Sequence, residues 1–532
     1  MAQRITRKDI RKLSEAELNQ LVLAFYRLQS MDPDHEDSYF QIAGYHGEPF
    51  RGAGYSNPSW WGGYCNHGNI LFPTWHRAYL YRLERALQKQ VPGVALPYWD
   101  EIDKYATEGG GIPEVLLAPS WTFNDGTTVV IDGKETSTIP NPLHHYTFQK
   151  KITDRLRPFP DADYSKPAGV ETVRFPFSGL YGAEDIATTE AHNDKYEALG
   201  IDKTNEMLVK NVQTWLNEAT YQPAPARLGQ HDPPAPLPAG VKDRYLRCLE
   251  APNYVVFSNT TSAERWNDDL PPHSEVVVPV ESPHNMIHLA VGGIQIPSQN
   301  ASTVQGANGD MGENDTSSFD PIFYFHHCFI DRMFWAWQVY HNQTDDLKID
   351  PEFAQYPGTN SVDSQGPTPG VPGNQWLSLD SPLSPFVRSD GQTPVTSRDV
   401  INIANLGYEY DSIPELPLRH APPKPQALLT VSGANRATIS GSFYVAAWLP
   451  DPHKPGLEYP IGIEAVLSRW HVAGCANCNN HLEVTAHFPL PQGWTNDEVE
   501  RRGVRLRVHT RERPKGLESV SGRKLKFEVK NV

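Results

Sequence analysis

The stretch DPIFYFHHCFID, Asp320 to Asp331, decides how the rest of the chain is read. It is an aromatic-rich helical segment with two adjacent histidines, His326 and His327, inside it and an aspartate at each end. Imidazoles buried among phenylalanines are costly unless something holds them, so this pair is expected to carry chemistry rather than fill space. Upstream, HNMIH sets His284 and His288 four residues apart. On a helix that spacing puts both rings on one face, one turn apart, ready to share a metal ion. HxxxH alone is weak evidence, and Asn285 stands where a zinc protease would carry its general-base Glu.

A second cluster lies nearer the start: His67, then FPTWHR with His76, then Glu84. Nine residues along one ideal helix would turn two imidazoles to opposite sides. His67 is therefore placed in a loop that folds back towards the helix bearing His76. His46, in AGYHGEPF, is the candidate third ligand. The result is two histidine triplets with no carboxylate among them. Di-iron bundles use Glu and Glu-x-x-His instead, whereas six neutral imidazoles suit copper cycling between its two oxidation states.

Two long patterns then carry a resemblance. H-x4-F-P-T-W-H-R-x2-L-x3-E (His67 to Glu84) and D-P-x-F-Y-x2-H-x3-D (Asp320 to Asp331) match the signatures of the tyrosinase, or type-3 copper, family. The chain resembles most the intracellular fungal pro-tyrosinases, through Tyr408 and Tyr410 at the end of the catalytic domain and a C-x-x-C in a C-terminal β-domain. The resemblance implies a four-helix bundle with long loops around a binuclear copper site. Two copper ions would be held by His46, His67 and His76 and by His284, His288 and His327. His326 would stand beside the ligands, not among them. It also implies a thioether between Cys65 and His67, the alternative being a buried thiol. Glu281 and Asn285 would hold a water that takes the proton of an incoming phenol, the alternative being a solvated Glu and a local cap, and Leu289 would shape the pocket mouth.

For Cys475 and Cys478, zinc, a redox dithiol and capture of Cu(I) for delivery are all open; soft thiolates favour Cu(I), and the resemblance favours delivery. Val466, where some fungal relatives carry an aromatic plug, is the candidate plug of a covering domain. Expected substrates are O2 and small phenols. Monophenols would become o-diphenols and these o-quinones, as in melanin formation. Catechol oxidase, o-aminophenol oxidase, a haemocyanin-like O2 carrier and a binuclear zinc hydrolase are the rival readings.

Composition and charge frame this. The chain has 532 residues and a net charge of −16, which disfavours a nucleic-acid partner. No stretch reaches the roughly 20 apolar residues of a membrane span. The first residues are basic without an apolar core, so a cytoplasmic chain is expected. Five scattered cysteines form no disulfide framework. Whether the chain forms a homo-oligomer is left open. Ser14 and Glu17 open a helix with Leu18, Leu21, Val22, Phe25 and Leu28 on one stripe. From Asp411 a Pro-rich connector begins, and alternation such as Val504–Val508 and Leu525–Val529 follows. The expected plan is a mainly α catalytic domain over 1–410, a linker over 411–426 and an antiparallel β-sandwich over 427–532. Cleavage in the linker, or acid acting on carboxylates at the domain contact, is expected to raise activity.

Overall fold

The computed structural model describes residues 4–46, 63–152, 165–182, 185–218, 240–271, 276–297, 303–361, 371, 375–416, 427–450, 455–469, 472, 482–490 and 493–532. Cys475, Cys478 and most of the Pro-rich connector (417–426) lie outside them.

Four helices matter most for the site: α1 (Glu15–Gln29), α2 (Phe72–Gln90), α3 (Glu281–Gly292) and α4 (Ile322–Tyr340). Helix α1 opens on the expected capping box, with the Glu17 N–H donating to Ser14 Oγ and the Ser14 N–H to Glu17 Oε2. Its stripe of Leu21, Val22, Phe25 and Leu28 is buried. Helix α2 starts with Pro73 in its first turn, where a missing N–H costs nothing. Every residue of α3 is buried, which explains why it shows no polar stripe in the sequence. It ends at Gly293 with φ 103°, a left-handed position that glycine tolerates. Gly292 just before it is required for space: a Cβ there would lie 2.1 Å from the Gly312 backbone. That close approach brings the segment Gly309–Asp315 against the end of α3.

The acidic ends of the motif on α4 are structural anchors. Asp331 accepts from Arg77 Nε at 2.5 Å, from Tyr408 and Tyr410 hydroxyls at 2.6 Å, and from Arg7 at 3.3 Å. Arg7 also pairs with Glu84 at 2.9 Å. One buried carboxylate thereby ties two helices to the parallel strand pair Ile5–Arg7 and Tyr408–Tyr410. At the other end, Asp320 pairs with the buried Arg174 at 2.6 Å.

The C-terminal part holds two three-stranded antiparallel sheets built from β1 (Ala427–Asn435), β2 (Phe443–Pro450), β3 (Glu458–Val466), β4 (Glu483–Leu490), β5 (Arg505–Thr510) and β6 (Lys526–Asn531). Their orders are β4-β1-β6 and β3-β2-β5. Alternation along β2 decides the packing. Phe443, Val445 and Ala447 face the sandwich interior, while Tyr444, Ala446 and Trp448 join the core of the helical domain. On β3 and just after it, Ile463, Ala465 and Leu467 face the helices in the same way. Val466 does not. It pairs with Phe443 and lies in the sandwich core, so this side chain is not a plug over the copper site. Period 2 forces this: with Ala465 turned towards the helices, its neighbour must turn away. Arg436–Thr438 forms a 3-10 turn, and β2 begins only at Phe443.

Candidate metal centre

The three histidines of the second triplet come from two helices. His284 and His288 sit one turn apart on α3, and His327 faces them from α4. The Nε2 atom of His327 lies 3.2 Å from Nε2 of His284 and 3.2 Å from Nε2 of His288. Imidazole nitrogens about 2.0–2.1 Å from one tetrahedral ion are separated by about 3.3 Å, so the spacing is that of ligands to a single metal. Phe323, one turn before, stacks on His327 at 3.9 Å and fixes its plane.

The first triplet is assembled from three separate pieces. His46 stands in the turn after the helix Tyr39–Ala43, His67 in the loop before α2, and His76 on α2. Their ring centroids lie 5.2–5.5 Å apart. His67 is indeed loop-borne, folded back by hydrogen bonds from Tyr64 N to Tyr45 O and from Cys65 N to His46 O. His76 also stacks on His327 at 4.6 Å, so the two triplets face each other.

The donor chemistry fits copper. The Nδ1–H of His46, His76 and His288 faces the backbone carbonyls of Asn314, Phe72 and Met311 at 3.3, 2.8 and 2.8 Å. A donating Nδ1 leaves the lone pair on Nε2, the tautomer a metal needs. In His46, His67 and His76 that buried Nε2 has no hydrogen-bond partner. Burial, with the neighbouring imidazoles second, holds five of the six histidines well below the ordinary value for His. Burial likewise brings His76 down to about 3. All six are neutral at pH 7, ready to ligate without adding charge.

His326 belongs to the same close group as His284, His288 and His327. Its Nδ1, however, is held by Glu101 Oε1 at 2.6 Å, and Glu101 also accepts from the Tyr245 hydroxyl at 2.5 Å. Sequence reading did not find this Glu101–Tyr245 support. Its only local mark is an acidic pair, Asp100–Glu101, after an aromatic run. The carbonyl acceptors of Asn314 and Met311 were equally invisible, because a backbone oxygen leaves no signature in residue type.

Asn285 touches the centre directly, and Glu281 borders it through the His67 loop. Asn285 Oδ1 accepts from His284 Nδ1 at 3.0 Å, and its Nδ2 donates to the Ala465 carbonyl on β3 at 3.4 Å. Glu281 is buried rather than solvated: Oε1 accepts from Gly68 N at 2.8 Å and Oε2 from Thr260 N at 2.9 Å. Burial raises its carboxyl above the usual range although these donors pull it down. Gly68 follows His67, so Glu281 ties the loop of one triplet to the helix of the other. Leu289 is fully buried in the helical core. Cys65 is a buried thiol close to both His46 and His67.

The sequence of the central part, residues 36–340, matches the model of the common central domain of tyrosinase. The chain belongs to the tyrosinase family. The tyrosinase of Aspergillus oryzae is 47% identical over 538 positions, covering 96% of this chain and 94% of that one. Tyrosinase HcTyr2 of Hahella is 46% identical, covering 89% and 84%. Among solved structures, a tyrosinase from Burkholderia thailandensis superposes with a TM-score of 0.78 at 41% identity over 99% of this chain and all of that one. An Aspergillus oryzae pro-tyrosinase shares the fold at TM-score 0.60 and 18% identity. The chain is thus a copper-dependent oxidoreductase of the tyrosinase type, with histidine clusters that match a binuclear copper site. Membership carries the use of O2 and phenols with it. Among the described residues no helix is long and apolar enough to cross a membrane.

Proposed function

We propose that the chain is a true tyrosinase, hydroxylating monophenols to o-diphenols and oxidising these to o-quinones, and that it is made in a latent form closed by its β-domain. The ligands are His46, His67 and His76 for one copper and His284, His288 and His327 for the other. Copper bound at these histidines would supply the redox chemistry that activates O2. The protein's own part is to admit the phenol, keep water and stray reductants out, and take a proton from a hydroxyl of pKa near 10. Asn285 and Glu281 are the groups for that proton. One is a neutral amide beside His284 and the other a buried carboxylate, and together they can hold a water between substrate and protein. Tautomer control of the ligating rings falls to the carbonyls of Asn314, Phe72 and Met311.

The observation that carries the latent reading is the contact between Asn285 Nδ2 and the Ala465 carbonyl. With β3 seated, a strand of the β-domain uses the amide that a substrate-bound water needs. The same strand is held by Glu464, which pairs with Arg244 at 2.9 Å and accepts from Ser282 at 3.1 Å. Among the described residues, the covering is done by the β3 backbone and the Glu464 clasp rather than by Val466. Domain limits of 1–410, 411–426 and 427–532, a Cys65–His67 thioether, copper delivery by Cys475 and Cys478, and a cytoplasmic location complete the proposal. Oxygen uptake by copper-loaded protein tests it, with a monophenol and a catechol as substrates, before and after cleavage in the connector. The reading predicts activity on both substrates that rises on cleavage. Catechol turnover without monophenol turnover would make the chain a catechol oxidase, and O2 binding without turnover a carrier.

A further inference from the structure

Two arginines of the β-domain converge on one short segment of the helical domain. Arg469, just after β3, forms a buried ion pair with Asp315, the two side chains 1% and 2% exposed. Arg511, just after β5, pairs with Glu313 at 2.9 Å, again buried. Between these two carboxylates stands Asn314, whose hydrogen bonds lead to the first triplet and to the β-domain. Its carbonyl faces His46 Nδ1 at 3.3 Å. Its Nδ2 donates to Cys65 Sγ at 3.7 Å. Its N–H donates to Ser468 O at 3.5 Å. Arg469 Nη2 reaches the same Cys65 sulfur at 3.9 Å. Among the described residues, no β-domain arginine reaches the second triplet in this way: its His288 is held by Met311 O, and its His284 by Asn285, which donates to the Ala465 carbonyl of β3.

We propose that Arg469 and Arg511 are positioning residues for the first copper: they clamp Glu313–Asp315, and through Asn314 and Cys65 they set His46 and the His67 loop. The β-domain is then a structural part of one metal site as well as a cover. The inference rests on the copper reading above. It follows from the build of the two triplets. All three histidines of the second are carried by the long helices α3 and α4, whereas two of the three in the first are carried by a turn and a loop that need an outside support. Groups that orient ligating histidines typically account for 10–100-fold in metal affinity.

The test is copper release from the loaded full-length chain into excess chelator, followed by metal analysis over time. Arg469→Lys keeps a charge for Asp315 but loses the fork that also reaches Cys65. It is expected to release one of the two coppers about tenfold faster and leave the other unchanged. Glu313→Gln, which loosens Arg511 without touching Cys65, is expected to speed the same copper by less. A His76→Ala chain, left with only the second copper, should release it at one rate whether residue 469 is Arg or Lys. Equal acceleration of both coppers, or of neither, would overturn the clamp while leaving the copper reading intact. A wild-type chain that takes up no copper would overturn that reading and the clamp with it.

Discussion

The two histidine triplets perform the same task with different construction. In the second, His284 and His288 share a helix face and His327 meets them at 3.2 Å from the neighbouring helix. Its geometry is set by the packing of α3 on α4, with the Met311 carbonyl orienting His288. In the first, only His76 is on a long helix, and His46 and His67 are carried by a turn and a loop. Those pieces are held from outside, by Glu281 on Gly68 and by the β-domain arginines on the 313–315 segment. The first site is the one that the rest of the molecule can adjust, and the second is the frame.

The largest expected effect comes from breaking the frame at its anchor. Asp331→Asn leaves the buried Arg77 without its carboxylate and Arg7 with Glu84 alone, which should cost about 3–5 kcal/mol in denaturant unfolding. The two arginines, with the tyrosine hydroxyls, hold the Asp331 carboxyl below its ordinary value against the opposing effect of burial. A carboxyl lowered by folding contributes stability that is present above about pH 4 and lost as pH falls further. The wild type should therefore show a steeper loss of stability below pH 4 than the variant.

Next come the groups that join the two sites. Glu281→Gln replaces the charged acceptor of Gly68 and Thr260, and Asn285→Ala removes the amide beside His284. Each should cost about 1–3 kcal/mol, seen in kcat/KM for a monophenol far more than for a catechol. A catechol offers a more acidic proton and needs less help. Equal losses on the two substrates would assign both residues a purely structural part.

These contrasts explain what could be read from the chain alone. The helix-borne features were legible: the α1 stripe, the His284–His288 face, and the split into helices and an alternating β-domain. So was the loop position of His67, because nine residues on a helix exclude the alternative. Supports made of backbone carbonyls, such as those of Asn314, Met311 and Ala465, leave no mark in residue type. Neither do ion pairs between residues more than a hundred positions apart, such as Arg469–Asp315. Val466 failed for a specific reason. Its place in the segment before the C-x-x-C does not say which face of the sheet meets the helices, and one residue of register reverses that face.

The smallest expected effect concerns pH at the clamp. Burial pushes the Glu313 carboxyl up to about 7, although Arg511 and Lys166 pull it down. A carboxyl raised in the closed form binds its proton more tightly there than when exposed. Through this residue, closure is favoured as pH falls from about 7 towards 4.5 and weakened as pH rises through 7. Glu313 thus acts against the opening by acid expected from the sequence. One proton per chain alters the open–closed ratio at most about tenfold per pH unit. Glu313→Gln should flatten the dependence of connector-intact activity between pH 6 and 8.

The most direct test of the central claim is the copper content of three purified chains loaded alike: wild type, His67→Ala and His288→Ala. Two triplets, each holding one ion, predict two coppers in the wild type and one in each variant, with phenol oxidation lost in both. Two coppers and surviving turnover in either variant would contradict the ligand sets and, with them, the binuclear centre described above.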